Sequence, residues 1–166
     1  MALNAYLRIT GQKQGVIKGS VTQTAHAGSI LVHSYSHEII SPRDPQSGLP
    51  TGKRQSQPVS LVKEVDTSSP HLLLALTTNE NLTTVQIQFW QTGAATGTGA
   101  GTETQLYTVT LTNASIASIE QSMGSNINSP AETVLQEEIT LVYQKIEWTW
   151  NDGGVTATDD WEASAA

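Results

Sequence analysis

Four histidines and a few paired carboxylates are the residues of this chain that could do chemistry. There is no cysteine, which excludes Cys nucleophiles, thiolate zinc sites and a disulfide scaffold. His33 and His37 lie four apart in an alternating, strand-like segment, with His26 and His71 elsewhere. Strand geometry separates the pair by roughly 13 Å, whereas one zinc ion needs three or four ligands at about 2 Å. Both are expected to be structural, and no metal site is predicted. Glu137/Glu138 and Asp159/Asp160 have the composition of acid–base partners. Neighbours in a strand point to opposite faces, however, so Glu137 and Glu138 cannot share a site. Asp159 and Asp160 fall in an expected tail. Gly97-Thr98-Gly99-Ala100-Gly101 lacks the Lys-Ser/Thr ending of a phosphate loop and leads into a strand. No Gly-x-Ser-x-Gly motif is present. Trp148 and Trp150, with Phe89 and Trp90, could stack sugars or serve as ordinary packing. No catalytic residue and no cofactor is predicted, and the chain is not expected to be an enzyme.

Charge narrows the partners. Eight Lys and Arg against 15 Asp and Glu leave a net charge of -7, which argues against nucleic acid. Only 14% of residues are charged, while Thr, Ser and Gln supply 51 of 166. Such a surface resists self-association less than an ordinary one. The charge is uneven: residues 1–102 carry a net +2 and residues 103–166 a net -9. That split reads either as drift with an acidic tail or as opposite potentials that orient self-stacking. The longest apolar run, residues 72–76, is far too short to span a bilayer, so no membrane partner is expected. The opening residues have no basic and apolar leader, so no standard secretory signal is expected.

The elements that must position these residues are mostly strands, as the wealth of Thr, Val and Ile suggests. Leu3, Ala5, Leu7 and Ile9 alternate with polar residues and predict a half-buried strand. A loop with a short strand at 16–21 follows. Residues 30–40 read as one long strand. Its bulkier face (Leu31, His33, Tyr35, His37, Ile39) is expected in the core, leaving Ser34 and Ser36 toward solvent or a lumen. Residues 41–58 hold four Pro and two Gly, and no regular element is expected there. They carry Arg43, Asp44, Lys53 and Arg54. A strand at 59–65 leads to the one helix signal: Ser69 as N-cap, Pro70 at N1, and Leu72, Leu73, Ala75 and Leu76, stopping near Asn79. Strands follow around Val85 and Tyr107, joined by a Gly-rich connector at 93–101. Ile116 and Ile119 lie in the next strand, where their spacing predicts a bulge. Residues 122–130 read as a loop. The strand at 134–150 needs a bulge near Gln144 to reconcile Ile139, Leu141 and Tyr143 with Ile146, Trp148 and Trp150. Residues 1–151 form one expected domain, and 152–166 a flexible C-terminal tail.

The order of these features resembles a known family. It comprises Tyr6, Ile9 and Gly11; Ile30-x-Val32-x-Ser34-x-Ser36-His37-x-Ile39; Pro42-Arg43-Asp44 and Ser47-Gly48; Lys63; and Asp66-x-x-Ser69-Pro70-x-Leu72. Then come Val85-x-Ile87-x-Phe89, Tyr107-x-Val109-x-Leu111-x-Asn113-Ala114, Ile116-x-Ser118-Ile119, and finally Glu138, Leu141, Tyr143, Ile146, Glu147 and Trp148. The set is similar to the Hcp proteins of bacterial type VI secretion, from about Tyr6 to Trp150. It departs from them in the Gly/Thr-rich insert at 93–102 and after Asn151. The resemblance implies a mainly β fold, two packed antiparallel sheets forming a β-barrel with one short α-helix. It implies a homohexamer whose stacked rings form a tube, with a spike protein, contractile sheath proteins and small effector proteins as partners. Assembly would be cytoplasmic, followed by secretion without a signal peptide. It also implies that Arg43, Asp44, Lys53 and Arg54 sit on an inter-ring contact loop, and that Ser34 and Ser36 face the lumen and its cargo. An all-β glycan-binding module and a phage-tail-tube-like protein are the alternative readings.

Overall fold

The computed structural model describes residues 3–93, 102–128 and 130–162. The fold is mainly β and antiparallel. Its strands are β1 (Leu3–Gly11), β2 (Gly15–Ile17), β3 (Ile30–Val32), β4 (Ser34–Ser36), β5 (Ile39–Ile40), β6 (Gln55–Ser56) and β7 (Val59–Glu64). After the helix α1 (Ser69–Thr77) come β8 (Leu82–Thr92), β9 (Glu103–Met123), β10 (Leu135–Trp150) and β11 (Val155–Asp160). The main sheet runs β2-β1-β8-β9-β10-β7-β4, with β3 also on β1 and β11 also on β10. β5 and β6 form a separate two-stranded ladder.

The alternation of β1 holds: Leu7 and Ile9 are buried and Arg8 is exposed. Together with Ile87, Val109, Leu111, Ile139, Leu141 and Ile146 they form a single apolar core. Each such side chain contributes roughly 1.5–3 kcal/mol by leaving water.

The segment 30–40 is not one strand. Ile30–Val32 pairs with β1, Ser34–Ser36 pairs with β7, and the His33 amide donates to the Val62 carbonyl between them. The chain thus crosses from one edge of the sheet to the other, which wraps the sheet into a barrel although no single ladder closes it. The crossing inverts the side-chain parity. Ile30 and Val32 are buried and Leu31 and His33 exposed, and then Tyr35 and His37 turn inward while Ser34 and Ser36 stay outside. The expectation that Leu31, His33 and Ile39 lie in the core is therefore corrected, since all three are exposed.

Strand β9 is continuous through both predicted strands. Its register against β10 slips between Ser118 and Ile116, at the bulge that the Ile116/Ile119 spacing predicts. At Gln144 the burial parity of β10 does invert, but the register is unchanged there. Across the ladder Asn113 sits at φ 50, and β9 inverts with it. The Asn113 amide donates to the Gln144 side chain at 2.9 Å, fixing this shared corner.

Two further expectations are corrected. Residues 41–58 are built as a hairpin. β6 pairs β5, Arg43 bridges Pro50, and the Asp44 carboxylate accepts from the Gln46 amide and Ser47 hydroxyl to close the tip. Residues 155–160, expected in the tail, form β11 against β10. The turn between them uses Gly153 and Gly154, both at positive φ where glycine is favoured. The helix begins one residue from expectation, with Ser68 at the N-cap. Leu72 and Ala75 face the core and Asn79, at φ 52, ends the turn. The insert at 94–101 lies outside the described residues.

Candidate functional site

The most buried charges belong to a network under the start of α1. Strand register places Lys63 of β7 directly beside Glu137 of β10. Lys63 has no exposed surface. Its ammonium donates to Glu137 at 2.5 Å, to Asp66 at 2.9 Å, to the Glu64 carbonyl at 2.9 Å and to the Ser69 hydroxyl at 3.2 Å. Ser69 donates to Glu137 at 2.8 Å, and Gln121 donates to the other carboxylate oxygen at 2.9 Å. Burial pushes the Asp66 carboxyl up, but hydrogen bonds from Ser68 and Lys63 outweigh it and hold the group below the usual carboxylate range. Every oxygen of Glu137 is thus satisfied, and the residue is buried. The network fixes the helix to the barrel wall. Glu138, its neighbour, points outward to the Ser60 hydroxyl, as strand alternation requires.

Glu80 performs a similar task at the β1–β2 turn. It accepts from the Lys13 and Gln14 amides at 2.6 and 2.8 Å and from the Gln14 side chain. A Cβ at Gly11 would stand 3.1 Å from this carboxylate, so a larger residue there would push Glu80 by a few tenths of an ångström. His26 is fully buried. It bonds Glu103 at 2.7 Å and stacks on Tyr6 with centroids 3.9 Å apart. That bond holds Glu103 below the usual range.

The histidines do not converge. His33 pairs with Glu64 at 3.3 Å, His37 with the Tyr143 hydroxyl at 2.8 Å, and His71 with Gln14. Among the described residues no cluster of metal-ligating side chains occurs.

Of the loop residues, Asp44 folds its own tip and Arg43 donates to the Gly48 carbonyl. Arg54 turns back within the chain. It pairs with Asp159 at 2.5 Å, donates to the Asp160 carbonyl at 3.0 Å and lies 6.0 Å from the Trp161 ring centroid. Lys53 is exposed. Ser34 and Ser36 are exposed on β4. Ser36 begins a cross-strand row with Ser60, Thr140 and Ser118.

One site was missed by sequence reasoning. Leu3, Tyr35, Phe89, Leu106, Tyr107 and Trp150 line an apolar mouth of about 450 Å³ where β1 begins and β10 ends. The Tyr35 and Phe89 rings meet edge to face at 5.1 Å. Burial, with Tyr107 and Tyr143 nearby, pushes the Tyr35 hydroxyl up to about 12. The signal available was the shared parity of Leu3 and Phe89 with core residues at strand ends. Trp148 packs against the core, and Trp90 stands edge-on to His26. The four aromatics considered for sugar stacking are therefore divided among different surroundings.

The family model described as "Type VI secretion system effector, Hcp" matches residues 6–150. The chain is 41% identical to the Major exported protein of Pseudomonas aeruginosa, over all of this chain and 99% of that one. Among solved structures, Hcp1 from the Escherichia coli EAEC 042 pathovar is 30% identical with a TM-score of 0.83, covering 96% of this chain and 99% of that one. The secreted protein Hcp3 from Pseudomonas aeruginosa is 33% identical with a TM-score of 0.74, covering 98% and 100%.

Proposed function

The chain belongs to the Hcp family of type VI secretion tube proteins, and from that membership we propose that it is the subunit of hexameric rings. The rings stack into a tube that carries or chaperones small effectors in its lumen. A contractile sheath drives the tube and a spike protein tips it. The chain assembles in the cytoplasm, leaves without a signal peptide, and works as a structural part rather than an enzyme.

The observation that carries this reading is a row of uncharged polar side chains across the sheet. Gln88, Thr149 and Thr156 stand in line across β8, β10 and β11 with the buried Thr108 of β9 between them, while the next row, Gln86 and Thr110, runs on to Arg8 and Glu147. Such a row can be buried against a neighbour, or can pass a cargo, with little desolvation of charge. Ser34 and Ser36 face the lumen in this proposal. The loop of Arg43, Asp44, Lys53 and Arg54 makes the ring-to-ring contact, with Arg43 and Lys53 as its outward cations. Electron microscopy of the purified chain should show six-fold rings, and monomers alone would overturn the reading. Ser36→Gln should lower effector retention with rings intact, whereas loss of the rings would place Ser36 in a subunit interface instead.

A further inference from the structure

We propose that the exposed face of β4, β7, β10 and β9 docks a basic partner, a lysine- or arginine-rich segment of a small protein. The partner's aliphatic stems lie in a slot walled by Val21, Leu31 and Val65, and its charges meet Glu64, Glu120 and Glu138. This rests on the reading that Ser34 and Ser36 face cargo, and it gives that cargo a chemistry which the reading leaves open.

Register assembles the face. Ser34, Val62, Glu138 and Glu120 stand in line across the four strands, beside the row of Ser36, Ser60, Thr140 and Ser118. Glu64 follows Val62 on the same side of β7, one diagonal step or about 7–8 Å from Glu138. Glu64, Glu120 and Glu138 are all exposed. Glu120 and Glu138 are directly opposite each other, and like charges so placed destabilise a sheet. Among the described residues no cation pairs with either, and Glu138 takes the Ser60 hydroxyl. Glu64 has the His33 imidazole at 3.3 Å. Across residues 34–36, 59–64, 115–123 and 135–142 the only Lys or Arg is Lys63. That side chain is fully buried and already shared between Glu137 and Asp66.

The slot is a separate sign of the same partner. Val21, Leu31 and Val65 line a cavity of about 280 Å³ together with His33, Glu64 and Asp66, at the Glu64 end of the face. Leu31 is 40% exposed there, a large apolar side chain held in water by the crossing of the chain. Among the described residues no lysine or arginine lines the cavity. Apolar walls edged by carboxylates suit a side chain with a long aliphatic stem and a cationic head, which Lys and Arg combine. An acidic segment would be repelled by Glu64, and a purely apolar one would bury that carboxylate without a partner. Ser34 and Ser36 add exposed hydroxyls beside the charges.

The test uses two dye-labelled peptides, one of alternating arginine and serine and one of alternating glutamate and serine. Each is titrated into the full chain at low ionic strength and read by fluorescence anisotropy. The arginine peptide should bind and the glutamate peptide should not, and added salt should weaken the binding. Glu120→Gln with Glu138→Gln should weaken it about tenfold. Asp152→Asn with Glu162→Gln changes the net charge equally outside this face and should weaken it less than about twofold. No binding, or equal weakening by the two pairs, would overturn the docking surface, since the peptide would then follow net charge alone. The thermal midpoint of the Glu120→Gln, Glu138→Gln chain should hold or rise, because a repulsive pair is gone, and this separates lost binding from lost folding. Leu31→Ser should weaken the arginine peptide with no change of charge, and an unchanged affinity would overturn the slot. Electron microscopy of the same samples separates the two readings. Rings that ignore the arginine peptide would remove the basic partner and leave the ring subunit standing. Chains that bind it at this face and never form rings would do the reverse.

Discussion

Lys63–Glu137 and Arg54–Asp159 have the same chemistry and the same 2.5 Å separation, yet they do different work. Neither side chain of the first pair has exposed surface, whereas those of the second are 35% and 22% exposed. The buried pair is held by Asp66, Ser69 and Gln121, so every lost partner is felt by the helix and three strands. The exposed pair ties a loop to the last strand through a contact that water and salt can replace. Burial and the completeness of the network, and not distance, decide what an ion pair contributes.

The largest expected effect that would break this contrast is Glu137→Leu. It leaves Lys63 buried without its main partner and should lower stability by about 3–5 kcal/mol, read as a shift in urea midpoint. The double variant Lys63→Met with Glu137→Leu should recover much of that loss, because no uncompensated charge remains between β7 and β10. If the double variant is the less stable of the two, the pair is a net source of stability and the contrast sharpens. Next comes acid. Asp66, Glu80 and Glu103 all sit below their ordinary values in the folded chain. Below about pH 4 the unfolded chain therefore binds more protons at these three groups, so their contribution should be constant above about pH 5 and be lost as pH drops through the carboxylate range. His37, lowered by burial, adds a loss in the same direction below about pH 6.5. Thermal melts from pH 7 to pH 3 check this. The smallest effect is Arg54→Ala, which should leave the global midpoint unchanged but speed hydrogen exchange in β11. A large drop in midpoint would show that the exposed pair anchors more than its loop.

Much of the fold was legible because alternation is local. The residues of β1, β7 and β8 show their faces in sequence, and the bulge at Ile116 follows from spacing alone. The crossing at His33 was not legible, since the inversion of parity there is imposed by two partner strands rather than by the segment itself. The 41–58 hairpin hid behind its prolines. Strand β11 had a signal, Asp152-Gly153-Gly154 before alternating Val155 and Ala157, but its exposed residues bury too little to announce a strand. The network was half legible. Alternation separates Glu137 from Glu138, but only the sheet register brings Lys63 to Glu137, 74 residues away. The mouth needed three dimensions, because its walls come from five strands.

β9 and β10 are joined at fifteen positions along one ladder that spans the molecule. Force applied along these strands loads those bonds together in shear, whereas force across them would peel them apart one at a time. The Asn113–Gln144 corner bends the ladder without interrupting its register, so tension passes around it. A protein built on such a pair is mechanically anisotropic, stiff along its long hairpin and yielding at right angles to it.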